Sequence, residues 1–206
     1  MQAASTQFDR AGYEGTTLTQ INKMAGISMG ALTFHFPTKQ ALAAAVQEQG
    51  RAVVRDAVAV VVSRPRPALA IGVAVTVTLA RLLEESVEVR AAARLARECP
   101  LPLPPSSPSP VWSVEWMPVL HDLFRRAGEE SGEDCGLRPG SDPEALTALA
   151  AHLVAGAEIH IRGYGRRPPG SFDTGAGAVA QLAQIWRVVL RGLIVKNVSE
   201  YEQDLV

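Results

Sequence analysis

The chain is poor in residues that staple, ligate or span. Its two cysteines, Cys99 and Cys135, stand in neither a C-x-x-C pair nor a cysteine–histidine cluster. That excludes a disulfide framework and leaves structural zinc or thiol redox chemistry without ligands, so reduced structural thiols are expected and no cofactor or metal is implied. Aromatic residues are only 5% of the chain, while alanine, leucine and valine dominate. With long stretches of hydrophobic period near 3.6 and almost no strand signal, this composition predicts an all-α fold. A net charge of −1 excludes a protein that coats nucleic acid, so any contact with DNA must be local. No charged start followed by an apolar run opens the chain, and the most apolar segment, Pro67 to Ala80, ends at Arg81 and is too short for a membrane span. A soluble cytoplasmic protein is expected, with length for one large domain or two small ones.

What is present is organised around residues 12–42, GYEGTTLTQINKMAGISMGALTFHFPTKQAL. Thr17 is placed to cap a helix in which Leu18, Ile21 and Met24 share one face. Gly26 ends that helix, because glycine accepts the left-handed conformation a tight reversal needs. Ile27 is expected to plug the corner. Ser28 then caps a second helix reaching about Phe36, and Pro37 and Thr38 start a third. This is helix-turn-helix grammar.

With Thr16, Thr17, Ile21, Ala25, Gly26, Ser28, Gly30, Ala31, Leu32, His35, Phe36, Lys39 and Leu42 in register, the stretch resembles the DNA-binding domain of the TetR family of bacterial repressors. The resemblance implies that Ser28 to Phe36 is the recognition helix, its early residues facing base edges in the major groove of a double-stranded operator. The candidate DNA-binding residues are Thr16, Thr17, Ser28, Met29, Gly30, Thr33, His35 and Lys39. The three hydroxyl residues at helix starts suit phosphate binding or serve only as caps; Lys39 reaches a phosphate or is a solvated charge. Two positions depart from the family pattern, which often has lysine at Met29 and an aromatic residue at Thr33. Members also usually begin with a longer first helix and a basic arm, so the first helix here reads as truncated. Through residue 55 the charges are Arg10, Lys23, Lys39, Arg51 and Arg55 against Asp9, Glu14 and Glu48, a weakly basic balance.

Gly26-Ile27-Ser28-Met29-Gly30 also satisfies G-x-S-x-G, the nucleophile elbow of serine hydrolases. That chemistry requires a strand before the serine. Residues 17–25 have helical periodicity instead, so the match lacks its context and no enzyme is expected.

Downstream, Thr38 to Val62 reads as a helix with Leu42, Val46, Val53, Ala57 and Val60 on one buried face, and Gly50 marks either a bend or a small packing residue. Ser63 to Pro67 breaks it. Ala68 to Glu85 is apolar nearly all round, as in a bundle centre, with Thr76 and Thr78 either lining a cavity or bonded to their own backbone. Ser86 caps SVEVRAAARLARE. Residues 100–110, PLPLPPSSPSP, form an extended loop, after which Trp112, Trp116, Leu120 and Phe124 recur at four-residue spacing on one helix face. Ser141-Asp-Pro-Glu144 is a capping box opening a helix with the stripe Leu146, Leu149, Leu153, Ala157 and Ile161. His152, Glu158 and His160 ride beside it, with no third partner spaced for metal or acid–base work. A last helix, about 176–195, repeats Val179, Leu182, Trp186, Val189 and Leu193 in the pattern of a packing seam.

Val89, Arg90, Ala91, Arg94 and Leu95, and the tryptophan after the proline-rich loop, are similar to the γ-butyrolactone receptor subgroup of the family. That resemblance implies a pocket for a lactone-like effector walled by Trp116; the candidate ligand-binding residues are Trp116, Trp112, Leu120, Thr76, Leu79, Leu83 and Leu153. It further implies a homodimer joined through the last two helices, with a DNA-binding domain over residues 1–45 and a ligand-binding and dimerisation domain over 46–206.

Overall fold

A computed structural model describes residues 1–99, 112–129, 137–138, 141–163 and 177–194. The fold is all-α: α1 (Gln2–Ala11), α2 (Leu18–Ala25), α3 (Met29–His35), α4 (Lys39–Val62), α5 (Ala68–Glu85), α6 (Val87–Glu98), a 3-10 turn (Trp112–Glu115), α7 (Met117–Glu129), α8 (Pro143–Gly163) and α9 (Ala178–Leu193). Among the described residues the β pairing is one isolated bridge, Leu137 to Ile194. The proline-rich loop of residues 100–110 lies outside the described residues.

The chain forms two compact units, residues 1–56 with 85–115, and residues 57–84 with 116–206. In the first, Ala4 and Phe8 of α1, Ile21 of α2, Leu32 of α3, Leu42 and Val46 of α4, and Ala91 and Leu95 of α6 make one core. Burying these side chains is what holds such short helices, since α2 and α3 are below the length at which a helix is stable alone. In the second unit Phe124 lies against Gly72, where an added Cβ would stand 2.6 Å from the ring.

Local sequence explains the boundaries. Thr17 and Gln20 form a reciprocal capping box on α2, Ser28 and Ser86 accept from Ala31 N and Val89 N to cap α3 and α6, and Thr38 accepts from Ala41 N to cap α4. Each satisfies an amide that a helix start leaves orphaned. Gly26 takes φ 67°, as the reversal requires.

Several expected faces are shifted. On α4 the buried row is Leu42, Val46, Gly50, Val54, Val58 and Val61, whereas Val53 and Ala57 are half-buried and Val60 is exposed. Gly50 belongs to the stripe: an added Cβ would collide with Ala92 and lie 2.7 Å from the Glu88 carbonyl oxygen. The two tryptophans do not share a helix with Leu120 and Phe124. Trp112 is in the 3-10 turn, and α7 starts afresh with Trp116 accepting the first helical bond from Leu120 N and Pro118 in its first turn. On α8 the cap is Asp142, which accepts from Glu144 N at 3.0 Å, while Ser141 donates to Arg138 O. Its buried row is Leu146, Ala150, Val154 and Ala157. On α9, Leu182 and Trp186 are buried with Ala178, Ala183 and Leu190, and Val179, Val189 and Leu193 are half-buried.

Candidate functional site

The helix-turn-helix is presented by a short α3 whose inward row is Leu32, buried in the core, and Phe36, packed beside it. At 100° per residue this row leaves Gly30, Ala31 and Phe34 pointing outward. All three are exposed, Phe34 by 82%, and its ring meets His35 edge-on at 5.2 Å between centroids. Met29 is also exposed, and its sulfur accepts from Asn22 Nδ2 at 3.1 Å. Thr33 donates to the Met29 carbonyl at 2.9 Å, so its hydroxyl hydrogen is spent within the helix.

The remaining head residues are placed as follows. Thr16 differs from the expectation of a surface hydroxyl: it is fully buried and donates to the carbonyls of Gly12 at 2.7 Å and Gln7 at 3.2 Å, bracing the turn between α1 and α2. Thr17 and Ser28 are exposed caps. Lys39 donates from Nζ to the Tyr13 carbonyl at 3.0 Å and stands 4.2 Å over the Tyr13 ring, a cation–π arrangement that holds the ammonium against the protein. Ile27 does not plug the corner. Both it and Met24 are exposed, so apolar residues read as core from spacing lie instead on the surface. Ser28 sits between two helices, not after a strand.

A polar latch ties α6 to α1. Arg90 Nε donates to Asp9 Oδ2 at 2.8 Å, Arg94 donates to the Asp9 carbonyl at 2.8 Å and to Glu98 at 2.6 Å, and Glu98 accepts from Tyr13 N at 2.7 Å. Burial alone would raise the Glu98 carboxyl, but hydrogen bonds from Arg94 and the Tyr13 amide outweigh it and hold it below the ordinary carboxylate range. Gly12 at φ 74° lets the chain turn against this cluster, where a Cβ would strike Glu98 and Arg94. Sequence reading missed the latch, because a partner some eighty residues away leaves no periodic signal.

In the second unit Thr76, Leu79, Leu83, Trp116 and Leu120 are all buried. Thr76 donates to Val73 O at 2.7 Å and accepts from Trp186 Nε1 at 2.7 Å. Trp112 belongs to the first unit and the other candidate pocket residues to the second. Leu153 instead lines an open groove of ≈ 430 Å³ with Ala157, Ile159, Leu182 and Ile185, between α8 and α9. Ile159 and Val188 on these helices are each 72% exposed. Glu158 pairs with Arg162 at 3.0 Å and His152 Nδ1 lies 2.6 Å from the Ala148 carbonyl oxygen. Among the described residues no group of acidic, histidine or cysteine side chains is placed to hold a metal, and no helix is long and apolar enough to cross a membrane.

Comparison with known proteins adds to this geometry. Residues 1–46 match the family model described as bacterial regulatory proteins, tetR family. The A-factor receptor protein of Streptomyces griseus is 37% identical over 54 residues, 26% of this chain and 20% of that protein, so that match spans only about a fifth of the receptor. A solved γ-butyrolactone receptor, described as ArpA-like, is 28% identical with a TM-score of 0.72, covering 98% of this chain and 90% of the other. TylP, a TetR regulator from Streptomyces fradiae, is 30% identical with a TM-score of 0.59 over 94% of this chain and 83% of the other.

Proposed function

The chain belongs to the TetR family of bacterial regulatory proteins, and from that premise we propose that it is a ligand-responsive transcriptional repressor of the γ-butyrolactone receptor type, acting in the cytoplasm. A homodimer binds a pseudo-palindromic operator, each α3 entering a major groove at half-sites about 34–36 Å apart. A γ-butyrolactone, butenolide or furan-type signal then binds the helical body and releases the DNA, controlling antibiotic or other specialised metabolism. The effector acts by binding the released conformation more tightly than the DNA-bound one, since differential affinity alone shifts the equilibrium.

The observation that carries this reading is the extent of the likeness: it runs over 98% of the chain to a γ-butyrolactone receptor, and so includes the body as well as the head. Trp116, buried at the start of α7, offers an indole face for a lactone ring and an N–H for its carbonyl. Thr17, Ser28, Met29, Gly30, Thr33, His35 and Lys39 form the DNA side of the proposal. Thr16 supports it from within.

A second reading is favoured by the weak charge of the head. Lys23 is the one formal cation between residues 18 and 36, and Lys39 is held by Tyr13, which suits a pseudo-receptor with diminished DNA binding, or one that answers to an antibiotic. Titration of the purified protein against its own promoter fragment, at low and moderate salt, alone, with a γ-butyrolactone mixture and with a panel of antibiotics, separates them. Specific binding that the lactones release supports the repressor. Absence of specific binding at low salt supports the pseudo-receptor, and release by antibiotics alone supports the third case.

A further inference from the structure

The outward ridge of α3 carries no group able to hydrogen-bond a base. The helix, MGALTFH, holds no arginine, lysine, asparagine, glutamine, aspartate or glutamate. Together with serine and threonine hydroxyls, these are the side chains that read guanine, adenine and cytosine through donors and acceptors in the major groove. Opposite the buried Leu32 and Phe36 stand Gly30, Ala31 and Phe34, and a Cβ placed on Gly30 would meet nothing within 4 Å. Thr33 has spent its hydroxyl hydrogen on the Met29 carbonyl, and the Met29 sulfur is occupied by Asn22. What remains on that ridge is apolar, the Ala31 methyl and the Phe34 ring, while the exposed His35 stands to one side as a polar group. The Phe34 ring is 82% exposed and meets the neighbouring His35 ring edge-on, leaving most of its surface open to solvent. In the major groove, the feature that matches alanine and phenylalanine is the thymine C5-methyl group.

We propose that this protein reads its operator chiefly through thymine methyl groups, contacted by Phe34 and Ala31, with Gly30 allowing the helix to approach closely. The inference rests on the operator-binding reading above and specifies its chemistry. His35 is left as the polar contact of the helix, and the paucity of charge on the head makes binding depend more on apolar fit than on phosphate attraction.

The test begins with selection of a binding site from random double-stranded DNA by the full chain. Each thymine of one selected half-site is then replaced singly by deoxyuridine, which removes a methyl and leaves every donor and acceptor in place. Burial of one methyl corresponds to about fourfold in affinity, so at one or more positions the uracil operator binds about fourfold more weakly. For Phe34→Ala, whose side chain is exposed and whose thermal unfolding is unchanged, that ratio falls to one at the position Phe34 contacts. A selected site whose thymines all tolerate uracil overturns the inference and leaves the repressor reading standing. An undiminished thymine preference in Phe34→Ala removes Phe34 from the contact. If Phe34→Ala binds the operator as tightly as the parent, the patch serves a protein partner and the inference fails. Failure to select any site from a folded preparation sinks the repressor reading itself.

Discussion

The indole Nε1 of Trp186 on α9 donates to the hydroxyl of Thr76 on α5 at 2.7 Å, and that hydroxyl donates in turn to the Val73 carbonyl at 2.7 Å. Both side chains are fully buried. The single hydroxyl therefore satisfies an indole N–H that water cannot reach and a carbonyl of its own helix, locking α9 to α5. Thr76→Val keeps the shape and removes the acceptor, leaving a buried donor unpaired at a cost of about 1–3 kcal/mol. Urea unfolding should show this loss for Thr76→Val and recover most of it for Thr76→Ser. Equal stability of the valine variant would mean that the indole finds another acceptor.

Glu98 makes the latch between α1 and α6 sensitive to acid. Its folded carboxyl is held below its ordinary value of 4.5: burial opposes this, but bonds from Arg94 and the Tyr13 amide prevail. A group whose folded value is lowered contributes stability above the unfolded value, and that contribution is lost as pH falls through the folded one. Stability should therefore decline on acidification below about pH 4.5, and Glu98→Gln should be less stable than the parent at neutral pH while showing a flatter acid limb. Parallel acid limbs, measured by urea midpoints across pH, would remove Glu98 from the account.

Gly50 presents a case where helix propensity and packing disagree. Alanine is the better helix former by about 1 kcal/mol, yet its Cβ would collide with Ala92 and approach Glu88 O to 2.7 Å. Backbone cannot yield as a flexible side-chain tip does. Overpacking of this kind costs about 1–3 kcal/mol, so Gly50→Ala should destabilise on balance, by thermal and urea unfolding. A stabilised variant would show that α6 can move away from α4 without loss.

Gly50 also shows where the sequence was legible and where it was not. Caps and breakers act locally, so the starts of α2, α3, α5 and α6 follow from Thr17, Ser28, Pro67 and Ser86. Faces require contrast between polar and apolar neighbours. Residues 52–62, AVVRDAVAVVV, offer little, so the buried row runs through Gly50 to Val54 and Val58 instead of Val53 and Ala57. The head posed the opposite difficulty. Spacing puts Met24 on the inner face of its helix and Ile27 in the corner, yet both are exposed, and Phe34 is distinguished as exposed only by its helical angle from Leu32 and Phe36. Thr16 matched its motif, but pattern does not reveal that its hydroxyl turns inward to Gly12. The pairings of Arg90 with Asp9 and Trp186 with Thr76 join distant parts of the chain and carry no sequence signature at all.

The exposed faces of α8 and α9 bear on assembly. Leu182 and Trp186 are buried within the subunit, whereas Ile159, which lines an apolar groove, and Val188 on α9 are each 72% exposed. If the homodimer closes over this surface, a charge at Val188 must be buried without a partner, which costs several kcal/mol. Val188→Glu should then weaken dimerisation by about 100-fold or more, the equivalent of roughly 2.7 kcal/mol, while the monomer keeps its fold because the site is solvated. Sedimentation velocity over a range of concentrations would read the first effect and circular dichroism the second. Operator affinity should fall with it, since two heads no longer bind as one linked unit. A Val188→Glu protein that remains dimeric at the parent's concentrations would move the interface away from the centre of α9. Repeating the measurement with Ile159→Glu would then decide whether α8 alone forms the contact.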